Sequence, residues 1–311
     1  MQQIRKRRTI RYRVKKDLLY NWKLYLIFLP ILVYFLVFRY RPMIGIVMAF
    51  EKYQPQKGLW GSRFVGLQWF EEFFGSYYFT RLLSNTLLIS LKDILIGFPA
   101  PIVFALLLNE VRNRPYKKII QTVSYMPYFV SMVVISSLII SFFSSNGPVT
   151  QLFVNLFRMP KTNMLGSNKY FQGIFVFTNL WQMCGFNSII YLAAISAIDQ
   201  ELYEAAVIDG ANRWQQTLHV TLPGIATTII MLFIVRIGNI LNVGFEKIIL
   251  MYNETTYETA DVISTYVYRV GLLSSDFSYG TAIGLFNCLI SVVLLVTANT
   301  VSKKVSDTSI F

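Results

Sequence analysis

Three ionisable residues stand inside long apolar runs: Lys92 and Asp93 within 82–108, and Arg236 within 222–245. A charge at membrane depth costs several kcal/mol unless it faces protein or water. Each therefore needs a partner or a task. Adjacent helical residues point about 100° apart, so Lys92 and Asp93 do not neutralise each other. A structural pair between Asp93 and Arg236 on neighbouring helices is the favoured reading, because buried charges generally pair. A gating or substrate contact is the functional reading of the same side chains.

Amide and aromatic residues recur on the later apolar runs. Asn179, Trp181, Gln182, Asn187 and Tyr191 fall within 171–198, Asn239, Asn242 and Phe245 within 222–245, and Asn287 within 280–301. Amides donate and accept hydrogen bonds, and aromatic faces stack. A ligand with many hydroxyls and a weakly apolar CH face, such as a sugar, needs both along its path. Amides also hydrogen-bond between membrane helices without any ligand, so the set says more than any single member.

Bond-breaking chemistry is poorly served. His219 is the sole histidine, and no HExxH zinc motif or nucleophile–base pair is present. That argues against a membrane-embedded hydrolase or transferase. No G-x-x-x-x-G-K-[ST] phosphate loop occurs, so this chain is expected to bind no cofactor of its own. Two cysteines, Cys184 and Cys288, read as small apolar residues inside spans rather than as a disulfide or metal site.

The elements that position these residues follow from composition. The chain is 54% hydrophobic and 14% charged, with 25 Phe and 19 Tyr. Soluble domains carry about 25% charged residues. The fold class is therefore an all-α membrane protein, with six transmembrane helices at roughly 22–38, 82–108, 119–143, 171–198, 222–245 and 280–301. Pro30 is a candidate kink, and an interfacial helix is expected near 67–74. The first run lacks a small-residue cleavage site and is followed by Arg39 and Arg41, so it reads as a retained span.

Net charge is +13. Arg5, Lys6, Arg7, Arg8, Arg11, Arg13, Lys15 and Lys16 all precede the first span. A basic cluster beside a span, with a second basic loop at 110–118, places the amino terminus, that loop and the carboxyl terminus in the cytoplasm. The cluster also suits anionic membrane lipid. Nucleic acid is disfavoured because aromatics do not interleave with the charges. The layout is a basic segment 1–21, a first span with its external loop 22–78, a five-helix core 79–305 and a tail 306–311. Tyr252, Asn253, Glu254, Thr256, Tyr257 and Glu258 form a polar external patch, read as a docking surface or as a solvated loop.

One polar stretch between spans is too ordered for a casual loop. Within 199–223, Asp199 caps a helix whose amino end suits Glu201 and Glu204. Ala205 and Ala206 are strong helix formers without bulk, fit for close packing into a partner groove. Gly210, after Asp209, permits a backbone reversal. Ala211 begins a second amphipathic turn or two that includes Trp214 and His219, and Leu222-Pro223 opens the fifth span. An ordinary connecting loop is the alternative.

Glu204-Ala205-Ala206, Asp209-Gly210-Ala211, Trp214 and Leu222-Pro223 resemble the EAA motif of binding-protein-dependent sugar permeases, the transmembrane subunits of ABC importers. Val220 stands where that family usually has Ile. Asn85-Thr86-Leu87, Gly97-Phe98-Pro99-Ala100-Pro101, Leu106-Leu107-Leu108-Asn109-Glu110, 236–246 and 260–269 are similar to the LplB- and YteP-like branch, associated with complex oligosaccharide uptake in bacteria. The resemblance runs from about residue 20 to the end. It implies a type I importer permease fold in the bacterial cell membrane. It also implies a homologous second permease subunit, two ATPase subunits that carry ATP and Mg²⁺, an extracytoplasmic solute-binding protein and an oligosaccharide substrate. The 199–223 segment would be the coupling helix that enters a groove on the ATPase. The EAA stretch alone also admits a permease for a non-sugar solute.

Overall fold

The computed structural model describes residues 17–158 and 160–306. The basic cluster 5–16 and residues 307–311 of the tail lie outside the described residues. The chain divides at Leu67/Gln68 into two compact units.

The first unit is built on a helix from Trp22 to Phe50, 29 residues long and apolar enough to cross a membrane. It is longer than the 22–38 run, because Arg39 and Arg41 do not end it: π-helical turns at Leu36–Tyr40 and a 3₁₀ stretch at Ile44–Phe50 carry the backbone through. A two-stranded antiparallel ladder, Glu51–Lys52 with Arg63–Phe64, follows and adds a small β element to an otherwise helical chain.

The second unit opens with the short helix Gln68–Gly75, at the place expected for an interfacial segment. Tyr77–Glu110 then forms one 34-residue span. Neither the charges Lys92-Asp93 nor the glycine and prolines of Gly97–Pro101 interrupt it. A π-helical turn at Asp93–Gly97 absorbs them, letting Pro99 enter the next turn where its missing N–H is tolerated. Gly97 is held against Asp93: a Cβ there would sit 3.1 Å from the carboxylate Oδ1.

The third span departs from expectation. Residues 119–143 are not one helix, because the chain turns extended at Val130 after Pro127. Arg114–Phe129 is a polar-faced helix capped by Asn113, whose side chain accepts from Tyr116 N–H at 3.1 Å. Ser131 caps the next helix, and the apolar run long enough to span is Met132–Phe157. Part of the stretch between the expected spans 119–143 and 171–198 is therefore helical, at Pro148–Phe157.

Phe171–Ser196 is a 26-residue helix. It bends by 71° into Gln200–Ile208, and Arg213–Gly224 bends by 58° into Ala226–Gly238. Leu222-Pro223 therefore ends the helix before the fifth span rather than opening that span. The break falls at Ile225. The fifth helix itself stops at Gly238, and an irregular stretch leads through Gly244, at φ +46°, into Phe245–Met251. The last span is unbroken from Phe277 to Ser306. Counting each bent pair as one span, six segments among the described residues can cross a membrane.

Close approach of two helices fixes the Phe171–Ser196 span. A Cβ at Gly185 would lie 2.1 Å from the backbone oxygen of Ser124, whereas at Gly173 it would meet open space. Small residues let membrane helices approach this closely. Gly185→Ala is expected to destabilise the fold by about 1–3 kcal/mol, the usual range for overpacking. A lower yield of monodisperse protein in detergent, set against an unchanged yield for Gly173→Ala, checks it.

Candidate functional site

Two constructions stand out in the second unit, an elbow between spans and a cavity among them. In the elbow, the Asp199 carboxylate accepts from Glu201 N–H at 3.1 Å and caps Gln200–Ile208. Glu201 is in the first turn, where a negative charge suits the helix dipole. Glu204 lies a turn further on, beyond that effect, which corrects the pairing of both glutamates with the amino end. The carboxyl end closes as a Schellman motif: Ala211 N–H donates to Ala206 C=O at 2.8 Å and Gly210 N–H to Val207 C=O at 3.0 Å. This closure requires Gly210 at φ +79°. Asn212 and Gln215 then form a capping box that starts the second arm.

Two contacts hold the arms. The Tyr203 and Thr221 hydroxyls are 2.9 Å apart, and Arg213 Nη1 donates to Glu110 Oε2 at 2.8 Å, tying the elbow to the end of the Tyr77–Glu110 span. Ala205, Ala206, Asp209, Gly210 and Ala211 line the inside of the bend with His219. His219 Nδ1 only meets the Gln215 carbonyl, at 3.0 Å. Leu202 lines the same bend, and Val207 and Ile208 line a neighbouring groove with Tyr203, Glu204 and Arg213. Leu202, Val207, Ile208 and Trp214 are all more than half exposed, Ile208 at 85%. Sequence reasoning passed over Leu202, Val207 and Ile208. Large apolar residues retained on a polar connection were the signal available for them.

The cavity has a volume of about 380 Å³. Asp93, Asn179, Asn187, Arg236, Asn239 and Asn242 all line it. Arg236 Nη2 donates to Asp93 Oδ2, and Asn179 Nδ2 donates to Oδ1 at 2.7 Å. Both carboxylate oxygens are thus satisfied although Asp93 is buried. Arg236 is partly exposed and sits in the last turn of its helix, not mid-span. Lys92 is not a buried charge: its side chain is exposed on this chain, and its ammonium donates to Gln172 Oε1 at 2.6 Å.

The remaining amides divide. Asn287 is buried and donates to Asn242 Oδ1 at 3.1 Å. Gln182 is buried and accepts from Lys247. Asn187 and Tyr191 also line a second cavity of about 350 Å³, shared with Gly97, Phe98, Arg236 and Asn239. Trp181 does not join them. It lines a separate pocket with Phe104, Val123 and Phe177, because two helical steps from Asn179 turn it about 200° away from the Asn179/Met183/Asn187 face. Phe245 packs its ring 5.6 Å from that of Tyr268 and is no part of the cavity lining. Asn239, Asn242 and Phe245 belong to the broken stretch and the helix after it, not to the fifth span. Thr256 is fully buried and so no part of an exposed patch; the Asn253 capping box holds it. Cys184 is partly buried and Cys288 exposed, and both are free thiols.

Residues 97–307 match the binding-protein-dependent transport system inner membrane component family. The chain belongs to this family. The permease is 42% identical over 299 residues to Protein LplB of Bacillus subtilis (strain 168), covering 96% of this chain and 92% of that one. It is 43% identical over 288 residues to the polygalacturonan/rhamnogalacturonan transport system permease protein YteP of the same organism, covering 93% and 90%. Among solved structures it resembles a chain of a bacterial ABC transporter involved in the import of the acidic polysaccharide alginate, at 43% identity and TM-score 0.87, covering 94% and 99%. It also resembles a chain of a bacterial alginate ABC transporter in complex with alginate pentasaccharide-bound periplasmic protein, at 42% identity and TM-score 0.88, covering 96% and 100%. This permease is therefore a multi-pass inner-membrane transport subunit of an ABC importer and not itself an enzyme.

Proposed function

We propose that this permease forms half of the translocation path for an oligosaccharide. A solute-binding protein would deliver the sugar from outside, and the 199–223 elbow would couple the path to an ATPase. The observation that carries the reading is the elbow. A capped helix closed at Gly210, with the arm that follows it, holds Leu202, Val207, Ile208 and Trp214 more than half exposed. A helix that exposes large apolar side chains on several sides of a polar connection fits insertion into a partner's groove. The relatives named for polygalacturonan, rhamnogalacturonan and alginate support a sugar as cargo.

The rest of the assembly follows from one elbow per chain. Two ATPase subunits need two elbows, so a homologous second permease would supply the other half of the path. ATP and Mg²⁺ would bind on the ATPase partners and not here. Closure of the ATPase dimer would move the elbows, and the membrane bundles would alternate between inward-open and outward-open states. The basic segment 1–21 and both termini would lie in the cytoplasm, against anionic lipid.

Purification of the tagged permease from its own membrane is expected to bring down a different permease chain and two ATPase chains. Reconstituted with the binding protein, that complex should take up oligosaccharides in an ATP-dependent manner. A stable homodimer with sugar-stimulated ATPase activity, made from this permease and the ATPase alone, would overturn the proposed assembly. Transport of a non-sugar solute with no response to oligosaccharides would overturn the proposed cargo.

A further inference from the structure

We infer that Lys247 recognises an anionic group, a sugar carboxylate, inside the 380 Å³ cavity. The inference rests on the oligosaccharide reading and narrows its cargo to acidic sugars. Three charged side chains line that cavity: Asp93, Arg236 and Lys247. Asp93 is fully engaged by Arg236 and Asn179. That leaves one cation in excess.

Lys247 is 1% exposed, yet no carboxylate lies within 4.0 Å of its ammonium among the described residues. Its contacts are a long hydrogen bond to Gln182 Oε1, at 3.4 Å, and the face of Phe175, 5.7 Å from the ring centre. An ammonium offers three donors, and one amide oxygen at the limit of bonding satisfies little of that capacity. A buried, unpaired ammonium is costly to the fold. An entering carboxylate would pair with it and convert that cost into binding. Asn179, Asn187 and Asn242 also line the cavity and offer partners for the hydroxyls of the rest of the ring. The bulk of the sugar would approach past Tyr128, which also lines the cavity and stacks on Phe186 at 3.7 Å.

The test uses the complete importer in proteoliposomes with its binding protein, and two probes. One is a short oligogalacturonate. The other is the same oligosaccharide after reduction of its carboxyl groups. Lys247→Met, Lys247→Gln and Lys247→Arg are compared with the unaltered permease, each after its assembly is checked by co-purification. Uptake of the acidic probe should fall about tenfold to a hundredfold in Lys247→Met and Lys247→Gln, the range for losing a charge-assisted bond. Lys247→Arg should retain most of it, and uptake of the neutral probe should change far less. Equal losses for both probes, or failure of all three variants to assemble, would make Lys247 a structural residue and overturn the inference. So would unchanged acidic uptake in Lys247→Met. Absence of uptake of either probe by the unaltered permease would instead strike the oligosaccharide reading.

Discussion

Gly210→Val is expected to reduce uptake sharply while the permease still inserts and accumulates. Gly210 has φ +79°, and nothing lies within 4 Å of where its Cβ would be. The substitution therefore meets no clash; its whole effect is on the backbone. A β-branched residue in the left-handed region carries strain of about 1–3 kcal/mol, which depletes the elbow conformation by about fivefold to a hundredfold. The Schellman bonds from Ala211 and Gly210 are what that conformation supports, and with them the angle between the two arms. Glu204→Lys tests the same surface through charge. Glu204 is exposed and lines one groove with Arg213, so the reversal places like charges together and loosens the Arg213–Glu110 tie. Substrate-stimulated ATPase activity and uptake should fall together in both variants, with membrane levels unchanged. Normal transport and normal stimulation in both would remove the coupling assignment.

The elbow was legible because its determinants are local. Asp199 caps because a carboxylate can reach an N–H two residues on, and Gly210 reverses the chain because only glycine does so freely. The breaks in the third and fifth spans were not legible. Hydropathy sees Ile119–Phe143 and Leu222–Phe245 as continuous, but it does not register where a proline or glycine stops the hydrogen-bond ladder. The same blindness hid the π turn at Asp93–Gly97, which keeps a proline-rich stretch helical. The Asn179/Asn187 face could be read from helical spacing, and so could the isolation of Trp181 from it. Lys247 could not. A fifth span that runs on to Phe245 leaves Lys247 just beyond its end, and only the break at Gly238–Gly244 turns Lys247 back into the protein.

The pair formed by Asp93 and Arg236 makes the sharpest quantitative case. Arg236→Gln is expected to cost more than Asp93→Asn, because the two partners are unequally covered. The Asp93 side chain is 8% exposed, and loss of Arg236 leaves its carboxylate with Asn179 alone. Stranding a buried charge typically costs about 3–5 kcal/mol. The Arg236 side chain is 41% exposed and lines the cavity, so after Asp93→Asn it has somewhere to turn. An asparagine at 93 can also keep the contact with Asn179 through its amide oxygen. The double variant should recover part of the Arg236→Gln loss, since no carboxylate then remains unpaired. The measurement is the yield and thermal stability of the co-purified complex for the four permeases. Strictly additive losses would show that the two side chains do not support each other. Full yield in every variant, with a changed choice between acidic and neutral oligosaccharides, would move the pair from holding the helices together to contacting the cargo.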